Sequence, residues 1–216
     1  MHNRRISRAV KRGLDVVVSA FGLVLLSPVL GVVTVLVWLE TGRPILFRQQ
    51  RPGYNGVPFF ALKFRSMTDR CDGQGRRLPD GERITRLGAL LRRSSLDETV
   101  QLWNVLRGDM SLVGPRPLLM QYLDRYTPEQ ARRHSVRPGI TGWAQVNGRN
   151  DLPWEQKLAL DVWYVDHWSL TLDVRILGMT VWKVLKGEGI AAEGSATMPE
   201  FTGTAATPPP ERARIR

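Results

Sequence analysis

A single cysteine in 216 residues, Cys71, excludes an intrachain disulfide and any thiolate cluster around a metal. It sits among Asp69, Arg70, Asp72 and Gly73, a polar stretch that reads as loop. Neither a Walker-type phosphate loop nor a dinucleotide-binding glycine fingerprint occurs, and no internal repeat is visible. Acidic residues are scarce, 20 against 31 lysines and arginines, for a formal net charge of +11. That imbalance favours phosphate-bearing partners: nucleic acid, anionic lipid headgroups or nucleotide substrates. Composition does not choose among them. Between Val16 and Leu39 charge is missing altogether.

The uncharged run is long enough to cross a hydrocarbon core of about 30 Å as a helix. A signal peptide would have a shorter apolar core and a small-residue cleavage site, and neither is evident. Basic residues flank both ends: Arg4, Arg5, Arg8, Lys11 and Arg12 before, then Arg43, Arg48, Arg51, Lys63 and Arg65 after. The positive-inside tendency places both flanks in the cytoplasm. In the middle, Pro28 removes a backbone donor and bends or breaks a helix, while Ser27 can bond a carbonyl left without its partner. The halves Leu14–Leu26 and Val29–Leu39 would each be roughly 15–20 Å of helix, which suits one leaflet. A re-entrant helix-break-helix hinged at Ser27 and Pro28 fits length, charge and break together. A kinked span is the competing reading.

Beyond it, Pro44–Gln50 and Val57–Met67 read as short strands around Pro52-Gly53-Tyr54-Asn55-Gly56. Asp69–Asp80 is a polar loop. Ile84, Leu87, Leu90 and Leu91 recur at helical spacing between Glu82 and Arg93, opposite Arg83, Arg86, Arg92 and Arg93. A helix is predicted from Ser95 to about Leu106, with Gly108 as its stop, then a strand at Met110–Val113. Thr127-Pro128-Glu129-Gln130 is a helix start with cap, proline and box in place. Arg137–Gly142 reads as loop and Trp143–Val146 as strand. Helices follow near Pro153–Asp166 and Leu170–Lys186. The last has a broad apolar surface that suits the core or, with Lys183 and Lys186 toward headgroups, a membrane interface. Residues 188–216, rich in Ala, Thr, Gly and Pro, are expected to be disordered.

Asp97 and Glu98 are the candidate catalytic pair. Ser95-Leu96-Asp97-Glu98 also has the form of a capping box, with Glu98 reaching back to the Ser95 amide, and acids suit a first helical turn on electrostatic grounds alone. The surroundings favour chemistry: Arg83, Arg86, Arg92 and Arg93 precede the pair, and Arg107 and Arg116 follow it. Neighbours on a helix project about 100° apart, so one carboxylate can attack phosphorus while the other holds a metal or handles a proton. Anionic reactants repel, and such a site needs Mg²⁺ and arginines to neutralise phosphate charge. Arg116, between Pro115 and Pro117, is presented on stiff backbone suited to bidentate grip of phosphate oxygens, although a rigid surface loop has the same form. The glycines of Arg137–Asn150 could bring amides to a phosphate, a weak signal by itself. His134 has no ligand-spaced partner and reads as structural.

Four stretches together resemble a family. They are Lys63-Phe64-Arg65-Ser66-Met67, Ser95-Leu96-Asp97-Glu98-Thr99-Val100-Gln101-Leu102-Trp103-Asn104-Val105-Leu106, Met110-Ser111-Leu112-Val113-Gly114-Pro115-Arg116-Pro117, and Arg137-Pro138-Gly139-Ile140-Thr141-Gly142-Trp143-Ala144-Gln145-Val146-Asn147-Gly148-Arg149-Asn150. In this order they look like the bacterial sugar transferases, the monotopic phosphoglycosyl transferases in their minimal catalytic form. Thr99-Val100 departs from the Leu-Pro common there.

The resemblance implies an α+β fold: a small, mainly helical catalytic domain with short strands at residues 41–187, after a basic N-terminus and re-entrant membrane helix at 1–40. Amphipathic helices would lie in the interface on the cytoplasmic face of the bacterial inner membrane. It implies the reaction of a UDP-sugar with polyprenyl (undecaprenyl) phosphate to give polyprenyl-diphosphate-sugar and UMP. Asp97 would carry the phosphosugar, and Glu98 would assist with Mg²⁺, the pair forming the metal site, or with deprotonating the lipid phosphate. Arg116, and with it Lys63, Arg65 and Arg149, would contact substrate phosphates. Asp161 and Asp166 fall in or beside a family-like stretch, Leu160–Val165, without an assigned role. Anionic headgroups are expected partners and nucleic acid is not. The alternative is a basic membrane-anchored protein binding nucleic acid or acidic polymer without catalysis; no nucleic-acid fold signature supports it.

Overall fold

The computed structural model of the chain describes residues 2–148, 152–186 and 200–203. Its first element is one α-helix, α1, from His2 to Thr41 with Pro28 inside it. The expected separation into two halves is therefore not observed as a loop. The reason is local: Pro28 takes from Val24 O the N–H it would accept, and Ser27 Oγ donates to that oxygen at 2.7 Å. The orphaned acceptor is satisfied from the side chain.

One stripe of α1 faces the rest of the molecule: Lys11, Asp15, Ser19, Gly22, Leu26, Leu30, Val33, Val37 and Thr41 are buried or half-buried at steps of three and four. Near its start, Arg12 donates to the Val105 and Leu106 carbonyls at 2.6 and 2.8 Å, and Asp15 accepts from Leu112 N at 3.1 Å. Near its end, Val33 and Val37 pack with Phe64 and Leu91. Both ends are thus fastened to the same body. The outward side carries exposed Val17, Phe21, Val24, Leu25, Val32 and Leu39.

Strands β1 (Leu46–Pro52) and β2 (Pro58–Phe64) form the expected hairpin, antiparallel and paired from Leu46↔Phe64 to Pro52↔Pro58. Its turn uses Asn55 at φ 54°, a left-handed position that asparagine tolerates. The helix expected from Glu82 to Arg93 is two: α2 (Asp80–Arg83) and α3 (Arg86–Arg93), the second begun by Thr85 Oγ1, which accepts from Gly88 N at 2.8 Å. After α4 (Leu102–Arg107), β3 (Ser111–Val113) pairs in parallel with β4 (Gly139–Thr141). Between them, α5 (Pro128–Ala131) has the complete capping box of Thr127 and Gln130.

Residues Trp143–Val146 are helix α6, not a strand, and the preceding segment read as loop holds β4. Glycine explains the exchange. A Cβ on Gly114 would lie 2.3 Å from Arg137 O, one on Gly139 2.1 Å from Gly114 N, and one on Gly142 2.2 Å from Gly114 O. These glycines let two backbones touch; that is their use here. Helices α7 (Trp154–His167) and α8 (Leu170–Lys186) complete an α+β fold. The core joins Phe59, Val105, Met110, Val113, Val146, Tyr164 and Ile176. On α8, Asp173 and Ile176 are buried, whereas Val181, Trp182, Val184 and Leu185 are exposed, so its last turns do not serve the core.

Within the tail expected to be disordered, residues 200–203 are seated. Phe201 is 2% exposed, with ring centroids of Tyr122, Trp154 and Tyr126 at 5.6, 5.5 and 5.7 Å. Its amide donates to Tyr122 Oη at 3.2 Å, and Arg125 donates to Glu200 at 2.8 Å. Burying one phenylalanine contributes roughly 1.5–3 kcal/mol, enough to hold a short segment that a compositional average reads as structureless. The other tail residues, 188–199 and 204–216, lie outside the described residues.

Candidate active site

Helix α3 ends at Ser94, and Ser95 then adopts φ 57°, ψ 16°, an uncommon conformation for serine. The chain swings into a 3-10 segment, Leu96–Gln101, that runs on into α4. This is not the single α-helix expected from Ser95. Nor does the capping box form: Ser95 makes no side-chain cap, and the Glu98 carboxylate is engaged elsewhere. The left-handed turn drives Asp97 inward, 6% exposed, with Glu98 beside it.

Glu98 is gripped by two cations. Lys63, on β2, donates from Nζ to Oε1 at 2.6 Å. Arg116 donates from Nη1 to Oε2 at 3.0 Å and from Nη2 to Oε1, a bidentate pair. Burial opposes ionisation of Glu98, but Arg116 and Lys63 overcome it and hold the carboxyl below its usual range. Asp97 is the opposite case. Its carboxylate makes no hydrogen bond or ion pair among the described residues; burial first, then the Glu98 charge, push its pKa up, with Lys63, Arg92 and Arg116 only partly offsetting them. Burial likewise pulls the Lys63 ammonium down, with Glu98 opposing.

The frame beneath these groups is specific. Buried Asn104 accepts from Leu62 N at 3.1 Å and donates to Phe60 O at 2.8 Å, locking α4 to β2 and hence Asp97 to Lys63. Pro115 O accepts from Gly139 N at 3.0 Å, which ties the arginine loop to β4. Arg133, 2% exposed, donates to Arg116 O at 2.7 Å, to Asp161 Oδ2 at 2.7 and 3.1 Å, and to Tyr126 Oη at 3.1 Å. Asp161 thereby has its place as the counter-charge of Arg133. Asp166 pairs with Arg132 near the surface. His134 rests against Tyr126, and burial, then Arg133, push it down to about 4.

Of the sequence candidates, Asp97, Glu98, Lys63 and Arg116 come together. Arg65 does not: its guanidinium donates to Thr41 O, Arg43 O, Met67 O and Asp69, tying the hairpin to the end of α1. Arg149 lies outside the described residues. Sequence reasoning missed Arg51 as part of the site. It stands opposite Phe59 on the same face of the hairpin as Lys63, and burial together with Arg116 lowers it to about 10. The alternation of the strands was the signal available. No cluster of three or more His, Cys, Asp or Glu side chains is gathered among the described residues.

The family model described as bacterial sugar transferase matches residues 6–187. The chain is 53% identical over 195 residues to a Bacillus subtilis protein named as the uncharacterized sugar transferase EpsL, covering 90% of this chain and 96% of that one. It is 45% identical over 183 residues to the UDP-glucose:undecaprenyl-phosphate glucose-1-phosphate transferase of Caulobacter vibrioides, covering 79% and 68%. With the UDP-galactose-lipid carrier transferase of Erwinia amylovora it shares 41% over 200 residues, 85% of this chain but 42% of that longer protein. A family match over most of the length and a relative 53% identical over 90% of this chain lead to one conclusion: the chain belongs to the bacterial sugar transferase family.

Proposed function

We propose that the chain transfers a sugar 1-phosphate from a UDP-sugar to polyprenyl phosphate, through a covalent phosphosugar on Asp97. The observation that carries this reading is a buried carboxylate with no hydrogen bond among the described residues, next to one engaged by Lys63 and Arg116. An oxygen of Asp97 attacks the phosphorus attached to the sugar, and the bridging oxygen leaves with UMP. An oxygen of the lipid phosphate then attacks the same phosphorus, which restores the carboxylate. Raised basicity suits Asp97 to the first step, and poor solvation leaves fewer bonds to break before attack. Lys63 and Arg116 supply positive charge where phosphate oxygens gather. Glu98 keeps those cations aimed and limits their surplus charge.

Mg²⁺ bound by one or two carboxylates, substrate phosphates and water fits a site offering only adjacent Asp97 and Glu98; it would neutralise phosphate charge. Asp97 has the free oxygens, and Glu98 would have to exchange a cation contact to join it. The exposed apolar side of α1, with both ends held by the same part of the fold, supports a helix that enters and leaves on one face, the cytoplasmic one.

UMP release from a panel of UDP-sugars, including UDP-glucose and UDP-galactose, with undecaprenyl phosphate and Mg²⁺ tests the reaction. Intact mass after omission of the lipid tests the intermediate. The expected result is one sugar-phosphate adduct on Asp97. Lipid product formed at the normal rate by an Asp97→Asn variant would overturn the mechanism.

A further inference from the structure

A cavity of about 830 Å³ lies apart from the acid pair, between the first turns of α1, the α7–α8 junction and β3. None of Asp97, Glu98, Lys63 and Arg116 lines it. Its walls hold Arg8, Lys11, Arg12 and Arg137 against the carboxylates of Asp15 and Asp166. Those carboxylates are engaged, Asp15 by Leu112 N and Asp166 by Arg132. Lys11 is committed to Asp173 and Val113 O, and Arg12 to two carbonyls. Arg137 uses only Nε, on Gly108 O at 2.9 Å, and Arg8 makes no ion pair among the described residues. The lining also includes Ser111, 1% exposed, whose hydroxyl is buried with no hydrogen-bond partner. A buried, unanswered hydroxyl costs on the order of 1–3 kcal/mol unless a ligand or water meets it. On the same turns of α1, Ile6, Val10 and Leu14 are about half exposed.

The geometry points to a second site that binds the phosphate of an anionic phospholipid, with its headgroup in this cavity and its chains along the apolar side of α1. Arg8 and the free guanidinium nitrogens of Arg137 take the phosphate oxygens, and the Ser111 hydroxyl takes a headgroup oxygen. The volume exceeds what a phosphate ion needs and suits a headgroup with its glycerol. Apolar residues beside the cations favour a lipid over a free ion. The inference rests on the interfacial placement of α1 proposed above.

The test titrates short-chain phosphatidylglycerol, the matching phosphatidylcholine, inorganic phosphate and polyprenyl phosphate into the full chain in neutral detergent, with bound lipid counted by native mass spectrometry. One equivalent of phosphatidylglycerol is expected, at least tenfold tighter than phosphatidylcholine or phosphate. Arg8→Gln with Arg137→Gln should weaken it about tenfold, and Ser111→Ala a few-fold, with thermal midpoints read alongside. Arg8→Gln alone, at an exposed position, serves if the double variant unfolds and should weaken binding several-fold. Undiminished binding in these variants, equal binding of the two phospholipids, or phosphate or polyprenyl phosphate binding as tightly at this site would overturn the assignment. UMP release is read on the same samples: its loss with phosphatidylglycerol binding intact strikes the transferase reading alone.

Discussion

Two ion-pair centres lie one above the other, and they are built differently. In the lower one, Arg133 and Asp161 form a closed one-to-one pair, both buried, with Tyr126 Oη and Arg116 O taking further donors. In the upper one, a single engaged carboxylate, Glu98, faces Lys63 and Arg116, with Arg51 close by, and the second acid, Asp97, makes no bond to any of them. The closed centre holds shape. The open one keeps positive charge and an unsolvated carboxylate ready for an anionic substrate, and pays for that readiness in stability.

The largest expected break in this contrast is Asp97→Asn. UMP release should fall by at least about 10³-fold, as for loss of a nucleophile, while the thermal midpoint holds or rises because a disfavoured buried charge has gone. A fall in both would place Asp97 with the structural residues. Next is Asp161→Asn, which leaves Arg133 buried without its counter-charge and should destabilise by about 3–5 kcal/mol in urea unfolding. Replacing both, Arg133→Met with Asp161→Leu, should recover much of that stability but not turnover, since Arg116 O loses its donor. Arg116→Lys keeps the charge and removes the fork; about 10²-fold in kcat/KM is expected, with unfolding little changed.

The smallest effect concerns His134, whose ring lies against the lower centre. Its folded pKa, pushed down to about 4 from 6.5, lies below the unfolded one, so the unfolded chain binds the extra proton first. Stability is full above 6.5 and is lost progressively as pH falls toward 4. Denaturant midpoints measured across that window should show the slope in the natural chain and a shallower one in His134→Gln. Equal slopes would remove His134 from the account.

Much of this was legible in the residues. Hydrophobic period and cap chemistry placed the Thr127 box, α7 and α8 to within one residue and the hairpin strands to within three. The acid pair and Arg116 were found as types in a pattern, Lys63 through the family resemblance, and they meet. What stayed hidden depends on contacts between distant segments. Nothing near Ser95 announces a left-handed turn, because serine there reads first as a cap. The glycines of Gly139–Gly142 look the same in a loop as in a strand pressed against Gly114. Arg65 carries the same charge as Lys63 two residues away, yet it lies just past the end of β2, where its guanidinium is taken up by the Thr41 and Arg43 carbonyls at the end of α1. Phe201 is one aromatic in a polar tail, and its hydrogen-bond partners Tyr122 and Arg125 lie 79 and 76 positions earlier.

The stripe on α1 has a practical outcome for anyone wanting this protein without detergent. Cutting at Thr41 would remove Arg12 from the end of α4, Asp15 from Leu112, and Val33 and Val37 from Phe64, leaving the remainder with holes and bare carbonyls. A water-soluble version is better sought by repainting than by trimming: polar residues in place of Val17, Phe21, Val24, Leu25, Val32 and Leu39, with every inward position left as it stands.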